Sequence, residues 1–214
     1  NDYVAAFTGN DLLLGGDGND TIFSVGGGND TLDGGADADL ISIQTLSDVT
    51  VTGGETTTSG QDLDRLEVGG STPVTLTVGG AENGTITGAG STITYTEIEQ
   101  VYLGSGADTI NAGTESAALY IDGREGDDLF NASATTGDNT LEGQAGNDTI
   151  FGGSGNETLG GGSGNDQIFG GAGNDSIQSG GDADTVEGGL GNDTIDGAQG
   201  DDLLDGGDGD DLIF

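Results

Sequence analysis

The sequence predicts an all-β solenoid, and three observations support this fold class. Residues 134–214 form nine consecutive nine-residue units with no insertion, of the form Gly-Gly-x-Gly-x-Asp-x-U-x, where U is aliphatic. Three glycines within four residues favour a tight turn that contains positive φ angles. The x-U-x triplet alternates as a strand does, with U directed inward. A fixed period this short is typical of stacked coils, in which each unit buries one apolar residue against its neighbours.

The register of these units is set by their eighth position, which is aliphatic in all nine. These residues are the predicted core of the run: Leu141, Ile150, Leu159, Ile168, Ile177, Val186, Ile195, Leu204 and Ile213.

An acidic residue recurs at the sixth position of the units. If two units make one coil, alternate units stack on the same edge, roughly 4.8 Å apart. Carboxylates at that spacing repel by about 3 kcal/mol per pair at an effective dielectric near 20, so such a ladder needs a cation between its rungs. Carboxylates and turn carbonyls are hard oxygen ligands that suit Ca²⁺. The predicted carboxylate ligands of this run are Asp148, Asp166, Asp175, Asp184, Asp193, Asp202 and Asp211.

The repeat resembles that of the repeats-in-toxin (RTX) family of secreted bacterial proteins. The resemblance implies a parallel β-roll with two units per coil and multiple Ca²⁺ ions between turns on both edges. It also implies that the sixth-position Asp and the carbonyls of the first four positions are the ligands. Asn139 and Glu157 depart from the Asp rule, and Asp182 replaces a fourth-position Gly. The glycines assigned as carbonyl ligands are Gly16, Gly18, Gly143, Gly146, Gly153, Gly155, Gly162, Gly164, Gly171, Gly173, Gly189, Gly191, Gly207 and Gly209.

Residues 6–42 repeat the same pattern with one irregularity. Residues 15–23 match the motif at every position, and the extra residue Ser24 follows them. Stacking on the same edge would pair the sixth-position acids of alternate units, which predicts about two Ca²⁺ sites. The predicted pairs are Asp11 with Asp30 and Asp20 with Asp39.

Residues 43–103 lose the glycine turn but keep strand signals. Alternating or β-branched runs occur at 49–52, 66–68, 74–78, 85–87 and 93–95. Three apolar residues, Leu66, Leu76 and Ile86, fall ten apart, which favours a solenoid that continues here without metal. Residues 53–62 are predicted to form an outward loop. A separate sandwich-like domain is the alternative.

Residues 104–133 return to the motif imperfectly. Asp108 and Asp128 occupy sixth positions and are predicted ligands, although the stacking partner of Asp108 is expected to be out of phase. The chain is thus divided into N-terminal β-roll repeats (1–42), a metal-free β-solenoid insert (43–103) and C-terminal β-roll repeats (104–214).

Composition restricts the class of function. The formal net charge is −37, with 39 acids against two basic residues, so nucleic acid and anionic membrane surfaces are excluded as electrostatic partners. There is no His, Cys or Lys, which removes most nucleophiles and His-dependent catalysis. A carboxylate pair could in principle hydrolyse sugars, but nearly every Asp is assigned to a turn. We therefore expect no enzyme activity and no cofactor besides Ca²⁺. No apolar run is long enough to span a membrane.

The expected function is structural. Without cations the chain should repel itself and stay disordered, and it should fold when Ca²⁺ binds. The repeats run from about residue 6 to the last residue without a polar cap, which predicts end-to-end self-association or an internal piece of a longer protein. Together with the resemblance, this predicts a secreted or cell-surface β-roll in an extracellular filament, surface layer or adhesin. The alternative is a polysaccharide-binding and secretion module of a larger secreted enzyme.

Overall fold

A computed structural model describes residues 1–54, 63–80 and 82–214 of the chain. In these ranges the regular structure is β-strand, arranged in one sheet of eleven strands (sheet one) and one of twelve (sheet two). No helical segment of these ranges has the length and hydropathy needed to cross a membrane. The strands are β1 (Tyr3–Ala6), β2 (Leu12–Asp17), β3 (Thr21–Ser24), β4 (Thr31–Ala36), β5 (Leu40–Ile43), β6 (Val49–Thr52), β7 (Arg65–Val68), β8 (Thr75–Gly80), β9 (Asn83–Gly88), β10 (Ser91–Thr96), β11 (Gln100–Tyr102), β12 (Thr109–Asn111), β13 (Tyr120–Asp122), β14 (Leu129–Asn131), β15 (Thr140–Ala145), β16 (Thr149–Phe151), β17 (Thr158–Ser163), β18 (Gln167–Ala172), β19 (Ser176–Gly181), β20 (Thr185–Leu190), β21 (Thr194–Asp196), β22 (Leu203–Asp208) and β23 (Leu212–Ile213).

In the regular run, successive units alternate between the two sheets. Leu141 in β15 lies beside Leu159 in β17, which in turn lies beside Ile177 in β19, so one coil consists of two repeat units. All pairings in this run are parallel. The turn is tight because the second and fourth positions adopt positive φ, as at Gly162 (φ 108°) and Gly164 (φ 120°). The predicted parallel β-roll is therefore confirmed.

The core is a double row of aliphatic side chains between the sheets. The eighth-position residues from Leu141 to Ile195 are buried, as predicted. Leu204 packs against this core but is only partly buried, and Ile213 is exposed. Both lie in strands at the open edge of their sheet, where no further coil of the described chain covers them.

The central segment continues the same two sheets with longer coils. The coil that leads from Leu40 to its neighbour Arg65 is longer than a regular one, and the coil from Arg65 to its neighbour Gln100 is longer still. Because β6 and β7 lie in parallel ladders with β4 and β5, the alternative of a separate sandwich does not describe this segment. Most of the predicted outward loop, residues 55–62, lies outside the described residues.

One antiparallel excursion in this segment was not predicted. β8, β9 and β10 form an antiparallel meander inside sheet two. Its second turn has two residues, Ala89 (φ 50°) and Gly90 (φ 83°), both with positive φ as a type I′ hairpin requires. The regular spacing of Leu66, Leu76 and Ile86 correctly identified buried residues, but it carries no information about strand direction.

The expectation that Asp108 stacks out of phase is wrong. Thr109 pairs with Leu129, so the acids that precede β12 and β14 lie on adjacent rungs. The main-chain N–H of Asp108 accordingly donates to Asp128 Oδ1 at 2.7 Å. This coil is slightly longer than a regular one, and the extra chain is accommodated in the turns without breaking the parallel register.

Candidate metal centres

The sixth-position acids form hydrogen-bonded ladders along both edges of the solenoid. The main-chain N–H of Asp148 donates to Asp166 Oδ1 at 2.8 Å, and the N–H of Asp166 donates to Asp184 Oδ1 at 2.9 Å. On the other edge, the N–H of Asp175 donates to Asp193 Oδ1 at 2.8 Å. Each rung thus fixes the carboxylate of the next coil in one orientation, and one oxygen of each carboxylate is used for this purpose.

In nine of these rungs the second carboxylate oxygen is buried and makes no hydrogen bond to the described part of the chain. A buried carboxylate oxygen without a partner is costly, so a repeated set of them along two edges calls for a ligand. The rungs with such an oxygen include Asp20, Asp108, Asp128, Asp148, Glu157, Asp166, Asp175, Asp184 and Asp193. These side chains are at most 2% exposed.

Main-chain carbonyls of neighbouring coils lie close to the glycine corners where this oxygen is buried. A β-carbon added at Gly161 would lie 2.3 Å from Asp166 Oδ2 and 2.5 Å from the carbonyl oxygen of Ser179, one coil further on. At Gly162 it would lie 2.0 Å from the carbonyl oxygen of Gln144, one coil back. The turn positions are therefore glycine because carboxylate and carbonyl oxygens crowd the space between coils. Such an all-oxygen donor set fits Ca²⁺.

Burial also shifts the acid–base behaviour of the rungs. Desolvation raises the pKa of Asp128 and Asp166 to about 7, and that of Asp108 and Asp148 to about 6. Burial likewise raises the pKa of Glu157 to about 7, with the neighbouring Asp175 adding to the effect. These carboxylates are thus partly protonated near neutral pH unless a cation lies beside them.

The N-terminal pairs are formed as predicted. The N–H of Asp11 donates to Asp30 Oδ1 at 3.0 Å, and the N–H of Asp20 donates to Asp39 Oδ1 at 2.7 Å. The insertion at Ser24 has a consequence here, since its hydroxyl donates to Asp30 Oδ2 at 2.8 Å. The second oxygen of Asp30 is thereby bound within the chain, unlike its counterparts in the regular run.

The glycines assigned from the resemblance lie at the same corners. Carbonyl oxygens of preceding coils crowd Gly164, Gly173 and Gly191 at 1.5–1.9 Å from an added β-carbon. The remaining assigned glycines of the regular run are similarly crowded, by carbonyl or side-chain oxygens: Gly143, Gly146, Gly153, Gly155, Gly162, Gly171, Gly189, Gly207 and Gly209. Gly16 has open space, and Gly18 faces the side chain of Asn1, because no described coil precedes theirs on that side. Whether each is a ligand remains a prediction.

The departures from the motif are accommodated by local hydrogen bonds. The side-chain amide of Asn139 donates to Thr135 Oγ1 at 2.7 Å and to Glu157 Oε1 at 3.4 Å, so a protein donor occupies this rung. Asp182 keeps the positive φ of a fourth-position glycine (φ 76°). The turn is thus preserved at both places.

Sequence reasoning missed three members of the ladder. The N–H of Asp2 donates to Asp20 Oδ1, the N–H of Asp39 to Asp64 Oδ1 at 2.8 Å, and the N–H of Asp64 to Glu99 Oε2. Asp64 and Glu99 match the repeat motif only in part. Each directly precedes an x-U-x strand triplet, but the glycine turn of the motif is missing. The acid ladder therefore extends into the segment predicted to be metal-free.

Acidic side chains do not cluster in these centres. Among the described residues, no group of three or more His, Cys, Asp or Glu side chains forms a metal cluster. The reason is geometric: each rung contributes one carboxylate, and the other oxygen donors are main-chain carbonyls of the turns. Ca²⁺ accepts such mixed oxygen donors.

Comparison with known protein families supports the same assignment. The family model described as RTX calcium-binding nonapeptide repeat (4 copies) matches residues 1–27, 22–42, 133–168, 160–195 and 188–214. No curated protein sequence matches the chain. The matched segments cover more than half of the chain and coincide with the glycine-cornered coils. The chain belongs to the family of RTX calcium-binding nonapeptide repeat proteins.

Proposed function

We propose that this chain is a Ca²⁺-dependent structural β-roll, secreted or exposed at a cell surface, and not an enzyme. The observation that carries the proposal is the pair of acid ladders, in which one carboxylate oxygen accepts a hydrogen bond from the preceding coil and the other lies buried close to turn carbonyls. A cation at each rung would offset both the repulsion between rungs and the cost of burying them.

The number of acidic residues in the regular run is consistent with several bound Ca²⁺ ions. Residues 134–214 contain 17 acids and no basic residue. Nine units leave about seven gaps between rungs on the two edges, so about seven Ca²⁺ would reduce the formal charge to about −3. Without them the run has one buried aliphatic residue per nine, too little to offset chain entropy.

Coupling of folding to Ca²⁺ suits an extracellular location. Cytosolic Ca²⁺ is kept low and extracellular Ca²⁺ is high, so a chain with weak sites would stay unfolded before export and fold afterwards. The family membership supports this placement, because the matched repeat is a calcium-binding one.

End-to-end self-association is the assembly that we propose for this β-roll. β1 and β23 are the outermost strands of sheet one in the described chain, and each pairs on one side. Exposed apolar side chains accompany them, such as Tyr3 and Phe7 at one end and Leu212 and Phe214 at the other. A head-to-tail contact that does not close would give a filament, and light scattering in Ca²⁺ that reports only monomer would reject this part of the proposal.

Circular dichroism tests the folding proposal. In excess chelator the chain should be largely unfolded, and millimolar Ca²⁺ should restore the β signal, whereas equimolar Mg²⁺ should not, because Mg²⁺ demands a tighter octahedral site. Equal β content with and without Ca²⁺ would reject coupled folding.

A polysaccharide-binding module is the second candidate function. One observation favours it: both arginines and two of the four tyrosines of the chain meet on the outer face of sheet one. This face lies outside the segments that the family model matches.

A further inference from the structure

The two basic side chains of the chain lie together. Against 39 acids the sequence has only Arg65 and Arg124. Arg65 contacts Glu67 within β7, and Arg124 Nη2 lies 3.1 Å from the same carboxylate, at Glu67 Oε1. Two residues that are far apart in the sequence are thus brought to one point on sheet one.

Two tyrosines extend this contact along the sheet. The guanidinium carbon of Arg65 lies 3.6 Å from the ring centroid of Tyr102, and that of Arg124 lies 5.3 Å from it. The ring of Tyr102 is 5.3 Å from that of Tyr120, with a tilt of 36°. Both tyrosines are partly buried. We call the set Arg65, Glu67, Tyr102, Tyr120, Asp122 and Arg124 the arginine–tyrosine patch.

The patch contains a buried acceptor and a buried donor that no described group satisfies. Asp122 is 8% exposed, and its Oδ1 has no hydrogen-bond partner in the described part of the chain, while its Oδ2 accepts from Gln144 Nε2 at 3.4 Å. The Nε of Arg65 is buried and similarly lacks an acceptor among the described residues. Unsatisfied polar atoms of both kinds at one surface indicate a ligand that can donate and accept.

A groove adjoins the patch at Arg124. It has a volume of about 330 Å³, and it runs over the turns that follow β7 and β11 to Arg124 and Glu125. The turns contribute glycines and serines, so the groove has little side-chain bulk. Its volume lies at the lower end of the range for small-molecule sites, about 300–1,000 Å³, which is sufficient for one or two sugar rings.

Charge selects the class of ligand. A polyanion would meet Glu67, Asp122 and Glu125 on a chain of net charge −37, and a cation would meet both arginines. A neutral polyhydroxylated ligand avoids both repulsions. Its hydroxyls can donate to Asp122 Oδ1 and accept from the guanidinium groups, and its C–H face can pack on the tyrosine rings.

We propose that the arginine–tyrosine patch and its groove bind a neutral polysaccharide. The proposal rests on the second candidate function and deepens it by naming the site and the ligand class. It requires the solenoid to be folded but not to assemble. The main alternative is that the patch only joins neighbouring coils through its ion pairs and ring contacts.

Affinity electrophoresis of the Ca²⁺-loaded chain in gels that contain dextran, laminarin or galactomannan tests the proposal. We expect retardation in at least one of these gels, and we expect the double variant Tyr102→Ala/Tyr120→Ala to weaken binding about tenfold or more. The matched control is Phe151→Ala/Phe169→Ala, which removes a stacked pair at 4.9 Å from the other sheet and should leave retardation unchanged. Arg124→Gln, which leaves both rings in place, should also weaken binding.

Three results would overturn the proposal. These are no retardation by any of the neutral polymers, equal retardation of the tyrosine and phenylalanine variants, and preferential binding of alginate, a polyanion. Circular dichroism of every variant in Ca²⁺ separates these results from a failure of Ca²⁺-dependent folding, because an unfolded variant would lose its β signal before any binding is measured.

Discussion

Residues 134–214 and residues 63–131 build the same two sheets but are stabilised in different ways. In the first region most coils consist of two repeat units, buried carboxylates form the edges, and no basic residue occurs. In the second region the acid ladder continues through Asp64, Asp108 and Asp128, but the coils are longer and unequal in length. The only arginines form ion pairs and ring contacts there, between β7, β11 and the turn that follows β13.

The two regions also differ in the number of apolar side chains that they bury. A unit of the regular run buries one aliphatic side chain, such as Ile168 or Ile177. Three central strands, β7, β8 and β10, bury two apolar side chains each, as with Leu66 and Val68 in β7 or Leu76 and Val78 in β8. The difference indicates that a solenoid coil can be closed either by metal at glycine corners or by a wider core with side-chain contacts, and that this chain uses both.

Removal of Ca²⁺ with a chelator should give the largest difference in stability between the two regions. Without Ca²⁺, amide hydrogen exchange in 140–196 should approach that of an unfolded chain, while 65–80 and 91–103 should keep measurable protection, because their stability rests on apolar burial. Mass spectrometry of peptic fragments would measure this. Uniform loss of protection along the chain would contradict the division.

Removal of one rung should have the next largest effect. Asp175→Ala removes the acceptor of the Glu157 N–H and one carboxylate from the two sites that flank its turn. We expect two fewer bound Ca²⁺ and a loss of stability on the order of 2–4 kcal/mol, measured by calorimetric titration and thermal unfolding. The opposite edge, with Asp166 and Asp184, should keep its ions.

The control for this variant is Glu187→Ala, which removes the same charge from an exposed position of β20. It should leave both the number of bound ions and the thermal unfolding curve almost unchanged. Equal effects of the two substitutions would indicate that general charge, and not the buried rung, determines Ca²⁺ binding.

Acidification should have opposite effects on the metal-free fold and on Ca²⁺ binding: it should stabilise the former and weaken the latter. The folded pKa of Asp128 and Asp166, about 7, lies above the ordinary value of 3.8, so the metal-free fold binds more protons than the unfolded chain between about pH 4 and 7. Its stability is therefore greatest at the acid end and is lost as pH rises through about 7. In chelator, the β signal should be stronger at about pH 5 than at about pH 7.5, and Ca²⁺ binding should weaken on acidification. A metal-free chain with more β signal at the higher pH would contradict this.

The smallest effect is expected from the central ion pairs. Arg65→Gln removes a partly exposed ion pair and a guanidinium–ring contact, which should cost about 0.5–1.5 kcal/mol with or without Ca²⁺. Thermal unfolding at two Ca²⁺ levels would measure this, with Gln178→Ala on the same sheet as a neutral control. A loss as large as that of Asp175→Ala would remove the distinction between the regions.

The sequence predicted the regular run well, because its chemistry is local. A glycine corner, an acid and an inward aliphatic each have a fixed position within the repeat unit, so stacking one coil on the next places Asp148 beside Asp166 without further information. The ladder members Asp64 and Glu99 were missed, since they keep the acid before the strand but lack the glycines that make the motif visible.

Other features depend on contacts that sequence spacing does not encode. The antiparallel turn of β9 and β10 depends on two positive φ angles at Ala89 and Gly90, and alanine gives little signal for that conformation. The patch of Arg65, Tyr102 and Arg124 forms only because two coils of unequal length bring the three residues to one face. Long-range register of this kind follows from the whole fold.

The central claim is that metal ions lie between successive acid rungs at the glycine corners. Anomalous difference maps from crystals grown in Ca²⁺, or in a lanthanide that replaces it, would test this most directly. We predict rows of peaks along both edges of residues 134–214, spaced roughly 4.8 Å apart and each next to the second oxygen of a rung such as Asp166. Maps of the folded chain with no peaks at these positions would contradict the account.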